Sequence, residues 1–143
     1  MAAEKTILLV DDNAVQAAIR QTILRRSGYF VITALNPQRA LEQLRSSDFP
    51  SEVQLVVTDH IMPGMSGTEF VRQIRQFAPH LPVLVVSGLQ EAEDLYETLG
   101  VEFRVKPLHP EKLLEAVHTL LSNSSLKELP ARPSPGQPIQ SAR

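Results

Sequence analysis

The sequence predicts a three-layer α/β fold in which a parallel five-stranded sheet lies between two layers of helices. Short, strongly apolar runs alternate along the chain with segments of helical periodicity, as expected for successive β–α units. The runs are apolar almost throughout, which is typical of parallel strands covered by helices on both faces. With right-handed crossovers, five such units close as a doubly wound sheet in the order 2-1-3-4-5.

Five runs are predicted to be strands of this flavodoxin-like (βα)5 arrangement. They are residues 6–10, 30–34, 55–58, 83–86 and 102–105. The order 2-1-3-4-5 places the first and third strands side by side at the centre of the sheet.

The first predicted helix follows an acidic pair at the end of the first strand. Its apolar residues Val15, Ala18, Ile19 and Ile23 share one helical face, which we expect to pack against the sheet. Gly28 follows as a natural C-terminal stop.

Three later helices carry start signals. Asn36 followed by Pro37 is an N-cap residue with proline at the first helical position. Ser66 and Glu69 form a capping box. Pro110 opens the last predicted helix.

A set of polar side chains follows the apolar runs, and these residues carry the functional prediction. They are Asp11, Asp12, Asp59, Ser87 and Lys106. In an open parallel sheet, ligands bind just beyond the carboxyl ends of the strands. Three acids, a hydroxyl and a lysine at that edge can hold a hard divalent cation and a phosphoryl group together, which favours phosphoryl transfer.

The composition is that of an ordinary globular chain of 143 residues, 43% apolar and 21% charged. A formal net charge of −2 disfavours a general nucleic-acid or anionic-membrane surface, and no segment approaches the roughly 20 apolar residues of a membrane span. We therefore expect no direct nucleic-acid binding and no membrane insertion. The absence of cysteine excludes thiolate chemistry and fits a cytoplasmic location.

Residues 1–123 are predicted to form the globular domain, and the sequence changes character after them. Prolines are then interspersed with serine, glycine and glutamine, without helical or strand periodicity. We expect residues 124–143 to be a disordered tail or a linker.

Four motifs in order, each at a strand end, resemble the receiver domain of two-component response regulators, the CheY-like superfamily. They are ILLVDDN, VVTDHIMPGMSG, VLVVSG and VKP, and the resemblance covers roughly residues 4–122. The loop and the VLVVSG stretch are also similar to receivers attached to hybrid sensor kinases. A stand-alone regulator, a phosphorelay intermediate and a piece of a hybrid kinase all stay open.

The resemblance implies a Mg²⁺ site and a phosphoacceptor. Asp59 resembles the residue that attacks phosphorus in a phosphohistidine of a histidine kinase or histidine phosphotransfer protein, and it also binds the metal. Asp12 resembles the direct Mg²⁺ ligand, Asp11 the residue that holds a metal-bound water, and Ile61 the residue whose backbone carbonyl completes the set.

The resemblance also implies a switch that alters a surface for an unknown downstream protein. Ser87 and Lys106 would contact phosphoryl oxygens, Pro107 would hold a cis peptide bond, and Phe103 falls at the switch aromatic. Such a domain is not an enzyme beyond its own phosphorylation and dephosphorylation. Ser87 replaces the commoner threonine.

The spacing from Ser87 to Lys106 is about one helical turn shorter than is usual for the family. The fourth helix, around residues 91–99 and ending at Gly100, is therefore expected to be short.

Three other functions compete with this interpretation. A pseudo-receiver that binds without phosphorylation would not need the intact acid set. A Mg²⁺-dependent phosphatase with an aspartyl nucleophile usually places a second acid two residues later, where this chain has Ile61. A dinucleotide enzyme would carry a Gly-x-Gly-x-x-Gly loop after the first strand, where this chain has acids.

Overall fold

The computed structural model describes residues 5–46 and 53–127. Its strands form one parallel sheet in the order β2-β1-β3-β4-β5, which confirms the predicted fold class. The strands are β1 (Thr6–Val10), β2 (Phe30–Ala34), β3 (Leu55–Asp59), β4 (Val83–Ser87) and β5 (Glu102–Val105).

Within the described residues, four α-helices and one 3-10 helix follow the five strands in turn. They are α1 (Ala14–Arg26), α2 (Pro37–Arg45), α3 (Gly67–Phe77), the 3-10 helix (Gln90–Tyr96) and α4 (Pro110–Lys127). The short fourth helix predicted from the sequence is therefore a seven-residue 3-10 segment. Helix α4 passes the predicted domain boundary by four residues, and the rest of the predicted tail, 128–143, lies outside the described residues.

Two apolar cores cover the two faces of the sheet. One core joins side chains of β1, β3 and β4 to α2 and α3, with Phe70 and Ile74 fully buried. The other joins the opposite side chains of the same strands to α1 and α4, with Leu24 and Val117 fully buried. Because both faces are covered, every residue of β1, β3 and β4 is buried.

The strands are in a register that brings their carboxyl ends to one edge. Val10 pairs with Thr58, and Asp59 in turn lies beside Val86. The acids that follow β1 and the acid that ends β3 are consequently neighbours, as the strand order predicted.

The predicted inner face of α1 is wrong for Val15, Ala18 and Ile19, whereas Ile23 is half-buried and packs against the second core. Val15 is 71% exposed and Ile19 56% exposed, whereas Ala17, Arg20 and Leu24 are buried. The helix therefore presents a different side to the sheet from the one predicted. The long side chain of Arg20 packs inward because its guanidinium pairs with the carboxylates of Asp11 and Asp59. The apolar pattern alone therefore pointed to the wrong side of the helix.

The predicted helix starts are confirmed. The side chain of Asn36 accepts a hydrogen bond from the backbone N–H of Arg39, and that of Ser66 accepts one from Glu69. Gly28 has φ +97° just after α1, a left-handed conformation that glycine adopts without steric cost.

Candidate functional site

Three carboxylates meet at the carboxyl edge of the sheet. Asp11 is fully buried, Asp59 is 4% exposed and Asp12 is exposed. One oxygen of each lies within 4.8 Å of the others, a spacing that a single ion can span. Clustered carboxylate oxygens open to solvent on one side suit Mg²⁺, which takes oxygen ligands and keeps several waters.

Asp11 is held from two directions. Its Oδ1 accepts the backbone N–H of Asn13 at 2.9 Å, and its Oδ2 accepts the side-chain N–H of Gln16 at 2.8 Å. Burial, together with its hydrogen bonding to Asp59, raises the pKa of Asp11 to about 6. Burial thus weakens its preference for the charged form, and a divalent cation would restore it.

Asp59 stays ionised although it is buried. Burial pushes its pKa upward, but hydrogen bonding with Asp11 and the charges of Arg20 and Lys106 outweigh burial and hold the pKa of Asp59 below its usual value. Lys106 Nζ lies 3.1 Å from Asp59 Oδ1. This environment keeps the carboxylate of Asp59 charged, which is the form that a carboxylate needs in order to act as a nucleophile.

Gln16 and Arg20 also enter the site, and sequence reasoning missed both. Arg20 Nη1 lies 3.3 Å from Asp11 Oδ2 and 3.3 Å from Asp59 Oδ1. Gln16 Nε2 lies 3.3 Å from Asp59 Oδ2, and its Oε1 accepts from Lys106 Nζ at 3.5 Å. A polar pair four residues apart on the helix after the acids was the available signal, since such residues share a helical face.

Ser87 and Lys106 stand on the far side of Asp59. The backbone N–H of Lys106 donates to the carbonyl of Ser87 at 2.7 Å, which ties the ends of β4 and β5 together. Ser87 is 2% exposed, and its hydroxyl oxygen accepts the N–H of Leu89 at 3.0 Å, so its proton remains available for donation. The Lys106-Pro107 peptide bond is cis, as the resemblance implied.

An aromatic group lies behind this side of the site. Phe103 is 9% exposed, and its ring centroid is 5.8 Å from that of Tyr96 in the 3-10 helix. The Tyr96 hydroxyl lies 2.6 Å from Nδ1 of His60, the residue after Asp59. His60 is thus a histidine with a structural hydrogen-bond partner, and burial lowers its pKa.

Two exposed apolar side chains flank the opening. Ile61 is 66% exposed and lies two residues after Asp59, while Leu89 is 41% exposed and lies two residues after Ser87. Each therefore follows a site residue at the mouth of the acid cluster.

Comparison with known proteins assigns the family. The model of the response regulator receiver domain matches residues 7–118, most of the chain. The chain belongs to the response regulator receiver domain family of two-component systems.

Several curated proteins are similar to this chain. The transcriptional regulatory protein ZraR of Klebsiella oxytoca is 37% identical over 87% of the chain and 29% of its own length. The alkaline phosphatase synthesis transcriptional regulatory protein PhoP of Bacillus subtilis is 32% identical over 85% of the chain and 50% of its own length. The chain thus spans half or less of the length of these two relatives.

Solved receiver structures have the same fold. A CheY-like response regulator receiver domain protein from Methanospirillum hungatei superposes with a TM-score of 0.79 at 26% identity, covering 87% of this chain and 99% of that one. A response regulator receiver protein from Pseudomonas putida gives 0.75 at 32% identity, covering 83% and 99%. Among the helices of the described segments, none is long and apolar enough to cross a membrane.

Proposed function

We propose that this receiver domain accepts a phosphoryl group on Asp59 from a phosphohistidine of a histidine kinase or histidine phosphotransfer protein, in a Mg²⁺-dependent reaction. One observation carries the proposal: Asp59 is a buried carboxylate kept ionised beside Lys106, within a cluster of acids that fits a divalent cation. The pseudo-receiver alternative is not favoured, because it would need neither the acid cluster nor the lysine.

The reaction is a displacement at phosphorus. A bond forms between a carboxylate oxygen of Asp59 and phosphorus while the phosphorus–nitrogen bond of the donor breaks, and the imidazole leaves with the bonding electrons. Mg²⁺, held by Asp11, Asp12, Asp59 and the carbonyl of Ile61, would neutralise phosphoryl charge. Lys106, which lies 3.1 Å from Asp59, and the Ser87 hydroxyl would contact the remaining phosphoryl oxygens.

The donor must bring its phosphohistidine to the mouth of the site, and the exposed face of α1 borders that mouth. Val15 and Ile19 are exposed apolar residues on this face, beside the inward Gln16 and Arg20. We propose that the phosphodonor protein covers them. Such donors act in the cytoplasm, where we place this chain. No reaction other than its own phosphorylation and dephosphorylation is proposed.

Phosphorylation would alter a surface for a downstream protein through Ser87 and Phe103. A hydroxyl drawn to the phosphoryl group vacates space that an adjacent aromatic ring can fill as a two-state element. Phe103 and Tyr96 both border a pocket of about 230 Å³ between the 3-10 helix and β5, which gives the rings room to rearrange. Chemical-shift changes on adding beryllofluoride with Mg²⁺ should cluster at these elements, and changes confined to the loop after Asp59 would contradict the switch.

Intact-mass measurement after incubation with acetyl phosphate and Mg²⁺ tests the acceptor. Wild type should gain one acid-stable, base-labile phosphoryl group, and Asp59→Asn should gain none. Asp94→Asn is the matched control, because Asp94 is an exposed acid on the 3-10 helix and should leave uptake unchanged. Equal uptake by wild type and Asp59→Asn would overturn the assignment.

A further inference from the structure

A buried arginine shares the carboxylate oxygens of the acid cluster. The side chain of Arg20 is 10% exposed, and its Nη1 lies 3.3 Å from one oxygen each of Asp11 and Asp59. Both distances are within hydrogen-bonding range, and both involve a charged donor with a charged acceptor. The guanidinium therefore bridges the carboxylates that end two different strands.

Arg20 is a permanent cation in this position. A guanidinium does not lose its proton in proteins, whereas a lysine ammonium does so when its surroundings demand it. Three carboxylates face two cations, Arg20 and Lys106, so the fully ionised cluster has a formal charge of −1. Without Arg20 the same cluster would have a charge of −2 and would attract a divalent cation more strongly.

Side-chain donors of the protein already contact carboxylate oxygens of the two buried acids, Asp11 and Asp59. Asp59 Oδ1 accepts from Arg20 and Lys106, and its Oδ2 accepts from Gln16. Asp11 Oδ2 accepts from both Gln16 and Arg20. A metal ion entering this cluster must compete with those donors for lone pairs and must approach a fixed positive charge.

We propose that Arg20 is a resident cation of the acid cluster, which organises Asp11 and Asp59 before metal arrives and competes with Mg²⁺ for them. It is a positioning residue, because it acts on the reaction through the two carboxylates. The proposal rests on the Mg²⁺ site of the proposed function. We therefore expect the Mg²⁺ affinity of the wild-type cluster to be weak. Gln16, one turn earlier on α1, is an uncharged donor to the same two carboxylates.

Mg²⁺ affinity measured by titration calorimetry tests the proposal. Arg20→Met removes the charge and keeps an inward-packing side chain, and Arg20→Gln removes the charge and keeps a donor. Both should bind Mg²⁺ at least tenfold more tightly than wild type. Arg20→Lys keeps a cation at this position, and its Mg²⁺ affinity should stay within about threefold of wild type. Arg26→Gln makes the same charge change at the exposed far end of α1 and should leave affinity unchanged.

A second measurement uses the wild-type chain, so it does not depend on the variants folding. The side-chain nitrogen resonances of Arg20 should shift on titration with Mg²⁺, following the same binding curve as the calorimetry, because the metal displaces the guanidinium. In thermal melts with EDTA, Arg20→Met should be less stable than wild type, since it removes the ion pairs of buried Asp11 and Asp59 with Arg20 and leaves Lys106 as the remaining cation beside Asp59. Its gain in melting temperature on adding Mg²⁺ should exceed that of wild type.

The outcomes separate this proposal from the proposed function. Wild type and Arg20→Met binding Mg²⁺ with equal affinity would overturn the resident-cation role and leave the metal site standing. A purely structural arginine would lower the melting temperature when removed without tightening Mg²⁺ binding, which would also overturn the role. Failure of wild type and every variant to bind Mg²⁺ would overturn both this proposal and the metal-dependent function.

Discussion

The two sides of the carboxyl edge of the sheet are stabilised by different kinds of interaction. On the β1–β3 side, Gln16 and Arg20, one turn apart on α1, donate hydrogen bonds to the buried carboxylates. On the β4–β5 side, the covering element is a seven-residue 3-10 helix, and its inward residue Tyr96 packs against Phe103. Charge compensation organises the first side, and aromatic packing with backbone hydrogen bonds organises the second.

This difference separates the carboxylates that we propose to react from the element that we expect to move. Ion pairs between buried groups on strands and a 13-residue helix hold the reacting carboxylates in place. A 3-10 helix has poorer hydrogen-bond geometry than an α-helix, so its conformation is easier to change. We therefore expect that a phosphoryl group accepted on the first side, as we propose, would alter the second side, where the structure is less costly to rearrange.

Breaking the support of the 3-10 side should have the largest effect on stability. Arg75 of α3 donates to the carbonyls of Leu99 and Leu81 at 2.7 and 2.8 Å, and to those of Gly100 and Ala78 at 3.1 and 3.2 Å. Arg75→Met leaves these acceptors without their donor and should lower the free energy of unfolding by about 3 kcal/mol in a urea titration.

Arg72→Met is the matched control for Arg75→Met. Arg72 lies on the same helix and is exposed, with one surface ion pair to Glu69 at 3.6 Å. Its loss should change stability by less than about 0.5 kcal/mol. Equal effects of the two substitutions would show that Arg75 does not hold the turn before β5.

The close approach of Gly67 to Tyr96 and His60 should be the next most important feature for stability. A Cβ atom on Gly67 would lie 2.2 Å from the Tyr96 hydroxyl and 2.9 Å from the Cα of His60. Gly67→Ala should therefore destabilise the fold by about 2 kcal/mol, since backbone and a buried ring must move. Gly88→Ala, where a Cβ meets nothing within 4 Å, should melt close to wild type. A Gly67→Ala protein as stable as Gly88→Ala would mean that the Tyr96 hydroxyl is not closely held.

On the chemical side, removal of one acid should affect the metal more than the fold. Asp12 is exposed, so Asp12→Ala should lose at least tenfold in Mg²⁺ affinity and remain folded. Its melting temperature in EDTA should equal or exceed that of wild type, because clustered like charges repel. A large Mg²⁺-induced rise in melting temperature that survives in Asp12→Ala would contradict the ligand role.

The lifetime of the aspartyl phosphate should depend on one residue from each side, and we expect the smallest effect here. Ile61 and Leu89 are exposed apolar residues that cannot hydrogen-bond an attacking water. Ile61→Asn combined with Leu89→Glu should speed dephosphorylation several-fold, followed after removal of the phosphodonor. Decay at the wild-type rate, with Mg²⁺ affinity unchanged, would show that water access at these positions does not set the lifetime.

The strand order and the meeting of the three acids could be predicted because both depend on local patterns. A continuous apolar run marks a buried parallel strand, and strand ends in such a sheet share one edge. The short fourth helix was also predictable, from the spacing between Ser87 and Lys106. The roles of Ser87 and Phe103 in switching remain predictions.

The inner face of α1 could not be predicted from apolar spacing. Arg20 is buried because it pairs with Asp11 and Asp59, and Asp59 lies 39 residues further along the chain, so the spacing of apolar residues within the helix carries no information about this pairing. The hydrogen bond between His60 and Tyr96 spans 36 residues and was missed for the same reason. Long-range polar pairing decided these contacts, whereas hydrophobic periodicity decided the strands.

The observed orientation of α1 gives the helix two proposed roles, one for its exposed side and one for the side that faces the acids. Ile19 faces solvent next to Arg20, which faces the acids. A partner protein that turned the helix by about 20° would shift side chains at its surface by on the order of 2 Å, given the helix radius. Arg20 nitrogen resonances recorded with a docked donor would detect such a turn. Contacts of 3.3 Å do not survive a displacement of that size, so a docked donor that turned the helix in this way would weaken the hold of Arg20 on both carboxylates.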